Sequence, residues 1–125
     1  MITVDDLKSE LKDYSWDMLT EGDATVGDKA LDTARIWIRA RLYSVGIEYD
    51  PALEDTDEVV RQIVLYYALY RLYAYAEQES MASDKKAGAV ELMSAYLSAS
   101  AARDPVAVSG SPIAAISKPV RRRKR

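Results

Sequence analysis

The stretch "VVRQIVLYYALYRLYAYA", residues 59–76, constrains the fold of this chain more than any other part of it. Only two arginines and one glutamine interrupt an otherwise apolar and aromatic sequence. A helix without a polar face is buried on several sides. The stretch therefore predicts a long central helix, from about Thr56 to Glu79, that other helices must cover.

This stretch does not have the composition of a membrane span. A span needs roughly 20 consecutive apolar residues, whereas Arg71 divides this one and five tyrosines lie between Tyr66 and Tyr75. The opening "MITVDDLKSE" carries acidic residues where a signal peptide has basic ones. We therefore expect no membrane segment and no targeting segment.

Capping residues and apolar spacing predict three further helices. Thr3 and Asp6 form the pattern of a capping box, at the start of a helix that ends near Asp13. A second helix is predicted from Asp28 to about Val45, with an inner face formed by apolar residues at three- and four-residue spacing: Leu31, Ala34, Ile38, Leu42 and Val45. Ser83-Asp84 begins a last helix, which runs to about Ala101.

Turn residues predict the connections between these helices. Residues 14–28, "YSWDMLTEGDATVGD", alternate polar and apolar side chains and predict a loop, with a short turn around residues 16–19. Gly46 fits the C′ position after the second helix, and Asp50-Pro51 turns the chain. The predicted fold is all-α: a small four-helix bundle-like domain with a long central apolar and tyrosine-rich helix.

Charge divides the chain near residue 102. Residues 1–102 hold 10 Lys and Arg against 19 Asp and Glu, whereas residues 103–125 hold 7 against 1. Prolines and a glycine in the second segment exclude a long helix there and leave two short β-like pieces, "VAV" and "IAAIS". We predict a helical domain over residues 1–102 and an extended basic C-terminal arm over residues 103–125.

The composition lacks the commonest catalytic and metal-binding groups. The chain has no Cys and no His, so serine-triad, zinc and thiol chemistry have no residues in their usual forms. The acidic cluster of Glu54, Asp55, Asp57 and Glu58 lacks the spacing of a calcium loop. We interpret it as helix capping plus a solvated acidic face. The predictions are no enzyme, no catalytic residue, no metal site and no cofactor.

The aromatic residues leave three interpretations open. A small four-helix domain cannot cover a helix that is apolar on all sides, which favours a helix that is both core and subunit interface, where Tyr is enriched. Core alone and a stacking platform for a ligand or nucleic acid are the alternatives. The candidate core and interface residues are Trp37, Tyr66, Tyr67, Tyr70 and Tyr73.

The basic end "RRRKR" also has three interpretations: contact with phosphates, docking to an acidic protein surface, or a solubilising end. No aromatic residue accompanies it, so contact with nucleic acid would be independent of base sequence and sensitive to salt. In a eukaryotic protein it could also be a nuclear localisation signal. The candidate partner-binding residues of the arm are Ile113, Ile116, Lys118, Val120, Arg121, Arg122, Arg123, Lys124 and Arg125.

The order of these features resembles a known family. The sequence has a helix opening "ITVDDLKSEL", a loop, a long helix "DKALDTARIWIRARLY", an Asp-Pro turn, the helix "DEVVRQIVLYYALYRLY" and a shorter last helix. It resembles the small helical head–tail connector proteins of tailed bacteriophages, also called adaptor or head-completion proteins, including the Mu-like group. The resemblance covers about residues 2–100 and rests on helix order, helix lengths and the tyrosine-rich third helix.

The resemblance implies a structural virion protein. Members of this family form rings, typically dodecameric, beneath the portal, where they extend the DNA channel and provide the docking platform for the next neck or tail component. The implied partners are the phage portal protein, neighbouring copies of the chain and a downstream neck, tail-terminator or stopper protein. Non-specific contact with packaged DNA is a further implied contact.

The resemblance also implies a place for the protein and its contacts. The location would be the neck of the virion, at the head–tail interface, and the host cytoplasm during assembly, with no membrane involved. Portal contact would fall on the arm, here Val106 to Arg125. The alternative drawn from the residues is a small helical nucleic-acid-binding or accessory interaction protein that uses its basic C-terminal tail.

Overall fold

The computed structural model describes residues 1–103, in which all regular secondary structure is helical. The all-α prediction is confirmed, and the long tyrosine-rich helix is present as α5, Glu58–Tyr75. Of the predicted arm, Arg103 belongs to the last helix, and the remainder, with the candidate residues from Ile113 to Arg125, lies outside the described residues. The helices are α1 Val4–Lys8, α2 Asp13–Thr20, α3 Ala24–Tyr43, α4 Leu53–Thr56, α5 Glu58–Tyr75 and α6 Glu79–Arg103.

The chain divides into two compact units, Met1–Ser94 and Ala95–Arg125. The first unit contains α1 to α5 and the first sixteen residues of α6, up to Ser94. In the second unit the described residues, 95–103, continue α6. All contacts discussed below lie within the first unit.

The start of α1 is confirmed in detail, whereas the other helix starts differ from the predictions. The Asp6 backbone N–H donates to Thr3 Oγ1 at 3.3 Å, and the Thr3 N–H donates to Asp6 Oδ2 at 2.9 Å, which closes the capping box. The bond from the Thr3 backbone is the main reason why the pKa of Asp6 lies below its usual value. Asp28 does not cap α3: Asp23 does so, accepting from the Thr25 N–H at 2.9 Å.

Two other starts and the predicted loop are also corrected. Asp57, and not Thr56, caps α5, because its side chain accepts from the Val59 and Val60 N–H groups. Helix α6 begins at Glu79, ahead of Ser83. The predicted loop contains α2, and α1 ends at Lys8. Alternating side chains concealed α2, whose Trp16 and Leu19 are three residues apart and both buried.

Helices α3 and α5 form the centre of the first unit and run antiparallel. The N-terminal half of α3 lines a surface cavity together with Arg71 and Tyr75 of α5, whereas Trp37, nearer the end of α3, stacks on Tyr67. The predicted inner face of α3 is buried at Leu31, Ala34, Ile38 and Leu42. The prediction fails at Val45, which is exposed because it lies in the turn after Tyr43.

The two glycines inside helices differ in the space around them. A Cβ on Gly27 of α3 would lie 2.7 Å from Trp16 Cη2 and 3.3 Å from Val4 Cγ1, so α1 and α2 pack onto α3 at a point where only glycine fits. A Cβ on Gly88 of α6 would lie 3.7 Å from the Tyr66 ring, an ordinary van der Waals distance. The same substitution should therefore have opposite effects at the two positions.

We predict that Gly27→Ala lowers the free energy of unfolding by about 1–2 kcal/mol, because the overpacking penalty exceeds the gain in helix propensity. Gly88→Ala is the matched control and should raise it by about 0.5–1 kcal/mol, since alanine is the better helix former and its methyl group contacts Tyr66. Urea unfolding followed by circular dichroism measures both. A Gly27→Ala variant as stable as the wild type would contradict the close packing of Trp16.

Helices α3 and α5 end in the same hydrogen-bonded turn. After α3, the Ile47 N–H donates to the Leu42 carbonyl at 3.0 Å, around Gly46 at φ 79°. After α5, the Gln78 N–H donates to the Tyr73 carbonyl at 2.9 Å, around Glu77 at φ 61°. Both are Schellman turns, so the prediction for Gly46 is confirmed. Glu77 occupies the equivalent position with a side chain that disfavours positive φ.

We predict that Glu77→Gly raises the free energy of unfolding by about 1 kcal/mol, because glycine adopts positive φ without the steric cost that Glu77 bears. Gly46→Ala should lower it by a similar amount for the same reason. Thermal unfolding of the two variants measures both changes. A loss of stability in Glu77→Gly would show that the Glu77 side chain contributes more than its backbone strain costs.

A buried carboxylate joins the N-terminal segment, α3 and α4. The Glu54 side chain is fully buried, with 0% of it exposed, and Arg35 Nε donates to its Oε2 at 2.8 Å. Arg35 Nη2 donates to Glu54 Oε1 at 3.1 Å and to the Ile2 carbonyl at 2.6 Å. The Ile2 N–H donates to Glu54 Oε1 at 2.8 Å, and the Tyr49 hydroxyl donates to Oε2. We call Ile2, Arg35, Tyr49 and Glu54 the buried network.

The buried network corrects part of the interpretation of the acidic cluster as helix capping plus a solvated acidic face: Asp57 does cap α5, but Glu54 is buried. Burial raises the pKa of Glu54, but the hydrogen bonds from Arg35, Tyr49 and Ile2 outweigh burial and set the pKa below its ordinary value of 4.5. Burial, together with the bond to Glu54, raises the pKa of Tyr49. Glu54 is therefore ionised and Tyr49 neutral at neutral pH. A buried charge of this kind requires all of its partners.

We predict that Glu54→Gln lowers the free energy of unfolding by about 3–5 kcal/mol, because the Arg35 charge then lacks its counter-ion. The wild type should also lose stability as the pH falls below about 4.5, since a carboxyl whose pKa is lower in the folded state stabilises the fold only while it is ionised. The Gln variant should lack this part of the acid dependence. Urea unfolding between pH 3 and 7 measures both, with the exposed Glu48→Gln as control. Equal losses in the two variants would contradict the assignment.

Candidate interaction surface

Three aromatic side chains form a continuous row across α3 and α5. Trp37 of α3 stacks on Tyr67 of α5, with ring centroids 4.5 Å apart and 14° between the ring planes. Tyr67 meets Tyr70 edge to face, at 5.2 Å and 72°. All three are half-buried, so one side of the row contributes to packing and the other reaches the surface. We call Trp37, Tyr67 and Tyr70 the aromatic row.

Three cationic side chains lie over rings of this row, and a fourth lies over the adjacent Tyr66 ring. The Arg41 guanidinium lies 5.2 Å from the Trp37 ring centroid, while Arg71 and Lys86 lie 5.7 and 5.3 Å from the centroid of Tyr70. Lys85 lies 5.5 Å from the neighbouring Tyr66 ring. These distances fall within the range of about 6 Å at which a cation is attracted to a ring face. We call Arg41, Arg71, Lys85 and Lys86 the cationic rim.

Helical spacing explains why these residues come together. Trp37 and Arg41 are four residues apart on α3, and Tyr67 stands three and four residues before Tyr70 and Arg71 on α5, so each set shares a helix face. The Schellman turn at residues 76–78 then reverses the chain. It brings the second turn of α6, with its two lysines, beside Tyr66 and Tyr70.

Among the described side chains, no carboxylate forms an ion pair with the cationic rim. The ion pairs among the described side chains involve Arg35, Arg61 and the Met1 amino group. None of them includes a rim residue. Arg41, Arg71 and Lys86 are exposed to solvent. The positive charges of the rim are thus held over rings and remain able to bind an anionic group.

The pKa of Tyr67 is consistent with this arrangement. Burial raises it above the ordinary value, and the nearby Tyr70 adds to the effect, whereas Arg71 and Arg41 act in the opposite direction. Tyr67 is therefore neutral at physiological pH. It contributes an uncharged ring, and the charge of the surface comes from the rim alone.

The structure separates the five candidate aromatic residues into three environments. Trp37, Tyr67 and Tyr70 form the row. Tyr66 is half-buried and its ring lies against Gly88 of α6. Tyr73 is buried in the core. Sequence reasoning did not identify the cationic rim, although the spacing of Arg41 from Trp37 and of Arg71 from Tyr67 was a usable signal.

A second surface lies on α3. Ile36 and Tyr43 are 62% and 81% exposed, and Ala40 between them is exposed as well. The spacing of four and then three residues puts all three side chains on one stripe of the helix. We call Ile36, Ala40 and Tyr43 the outer stripe. Apolar residues grouped on a surface in this way are typical of protein contact sites.

Among the helices of residues 1–103, none combines the length and apolarity required to cross a membrane. Within the same residues, no group of three or more acidic side chains is arranged to hold a metal ion. Comparison of the chain with protein-family models, curated proteins and solved structures finds no match.

Proposed function

We propose that this protein is a structural head–tail connector of a tailed bacteriophage, an adaptor whose copies form a ring beneath the portal. In this role it extends the DNA channel and provides the docking platform for the next neck or tail component. The protein would act by contact alone and would require no cofactor. Its site would be the neck of the virion, and the host cytoplasm during assembly.

The main support for this proposal is that α3 presents side chains for contact on more than one side of the helix. Its inner face packs on α5, while the outer stripe exposes Ile36 and Tyr43 and the aromatic row reaches the surface through Trp37. A ring subunit contacts neighbouring copies and also the protein stacked on the ring. It therefore needs separate contact surfaces, held at fixed positions by a rigid element. A helix of 20 residues, about 30 Å long, can supply such surfaces.

The charge of the helical domain supports a place beside DNA. Residues 1–102 hold nearly twice as many acidic as basic side chains. A ring of such domains would line a channel with negative charge, and repulsion over a Debye length of about 8–10 Å would favour sliding of DNA over adhesion. The basic arm would hold the ring in place, with "IAAIS" adding as a strand to a neighbour or to the portal and the arginines pairing with carboxylates.

We predict that the full chain forms a ring on the portal protein encoded in the same genome, visible by electron cryomicroscopy of the mixed proteins. Replacing Arg121, Arg122 and Arg123 by Gln should weaken portal binding by at least about tenfold, because charge-assisted contacts are lost. Replacing Lys8, Lys12 and Lys29 by Gln is the control with the same change in charge, and it should bind as the wild type does.

Three results would count against all or part of the proposal. Absence of any complex with the portal would reject the connector function. A ring that forms equally well with the arginine-substituted chain would leave the function standing but reject docking through the arm. Salt-sensitive binding of DNA by the chain alone, lost in the same variant, would favour the nucleic-acid-binding alternative.

A further inference from the structure

We propose that the aromatic row and its cationic rim bind the acidic α4 corner of a second copy of this chain, so that copies join head to tail. By the α4 corner we mean Asp50, Asp55 and Glu58, which are exposed where α4 meets the start of α5. The inference rests on the proposed function, in that it names the contact between neighbouring copies of the ring. The contact is inferred from the charges and the positions of these two surfaces.

The aromatic rings are already used within the molecule. Trp37 is stacked on Tyr67 and lies beside the Arg41 guanidinium, and Tyr70 contacts Tyr67, Arg71 and Lys86. A nucleobase would have to displace one of these contacts in order to stack. The chemistry left for a partner is the outward charge of the rim, which favours carboxylates or phosphates over a flat ring.

Another copy of the chain supplies carboxylates in excess. The rim holds four of the 10 basic residues in 1–102, while the same residues hold 19 acidic ones. Two of the remaining six basic residues, Arg35 and Arg61, already pair with carboxylates of their own domain. The carboxylates of a second copy therefore complement the rim.

The α4 corner is an acidic surface of this kind. Its three exposed carboxylates lie within nine residues of one another in sequence. Asp55 contacts the Met1 amino group, Asp50 Oδ1 accepts from the Ala52 N–H, and Glu58 accepts from Gln62. All three residues nevertheless remain exposed to solvent.

The positions of the two patches predict how copies associate. Glu58 and Tyr70 are separated by twelve residues of the same helix, which corresponds to about 18 Å along α5. Two different patches on one subunit form a heterologous contact that repeats from copy to copy, which gives a closed ring or an open filament. A symmetric dimer would pair the same two patches reciprocally and stop at two copies, so association beyond a dimer in sedimentation velocity is the result that the head-to-tail contact requires.

A charge exchange between full-length variants tests the inference. The rim-reversed chain carries Arg71→Glu and Lys86→Glu, and the corner-reversed chain carries Asp50→Lys and Glu58→Lys. Sedimentation velocity at low salt should show self-association of the wild type and at least about tenfold weaker association of each variant. An equimolar mixture should restore association, since each reversed patch then meets a complementary one, and restoration also shows that both variants are folded.

The control for these variants reverses two basic residues outside the rim, Lys12→Glu and Lys29→Glu, and should associate as the wild type does. The inference is overturned if the wild type stays monomeric at every concentration, if the reversals leave association unchanged, or if mixing restores nothing. It is also overturned if rim reversal abolishes DNA binding and leaves self-association intact.

The portal experiment separates failure of this inference from failure of the proposed function. A rim-reversed chain that still forms complete rings on the portal would reject the inference and retain the connector function. Rim-dependent self-association without any portal complex would reject the connector function and retain the head-to-tail contact.

Discussion

The pair of Arg35 and Glu54 is the interaction on which the rest of this fold depends. Glu54 is completely buried and the Arg35 side chain is only 15% exposed, so neither charge can be solvated without opening the core. Each partner is also bonded to the Ile2 backbone, and Glu54 accepts from Tyr49. One carboxylate thereby fixes the N-terminal segment, the loop after α3 and the short helix α4 relative to α3.

This dependence explains how a helix of four residues persists. Helix α4 is far shorter than the roughly 12 residues that an isolated helix needs in water, and its Ala52 N-cap makes no side-chain bond. The buried network supplies the missing stabilisation from outside the helix. The same network explains why the short α1 is retained, since the bonds at Ile2 precede its capping box directly.

The sequence predicts those features of the structure whose interacting residues lie close together in the chain. The capping box of Thr3 and Asp6 and the turn at Gly46 involve residues within five positions of each other, and both predictions are confirmed. The interpretation of the acidic cluster as helix capping plus a solvated acidic face is wrong for Glu54, which is buried. Its true partner, Arg35, lies 19 residues away on another helix. Likewise, the α6 start at Glu79 depends on Glu77 adopting a backbone angle for which glycine would be expected.

The same limit applies to the candidate surface. The sequence predicts that Trp37 and the tyrosines pack in the core or at a subunit interface. The stacking of Trp37 on Tyr67, however, joins positions 30 residues apart and requires the packing of α3 on α5. The rim depends further on the reversal at residues 76–78, which brings Lys86 to Tyr70. Helix faces can be predicted from spacing, whereas the rotation of one helix against another cannot.

The buried pair and the apolar face of α3 act together on that rotation. Arg35, Ile36 and Trp37 are consecutive on α3 and point about 100° apart around its axis. Arg35 enters the buried network, Ile36 begins the outer stripe and Trp37 joins the aromatic row. The fork of Arg35 bonds Glu54 at two atoms while Leu31, Ala34, Ile38 and Leu42 are buried in the core, and with these residues held inside, the next two side chains point outward. A single turn of helix thus couples the stability of the core to the orientation of both surfaces that remain available to partners.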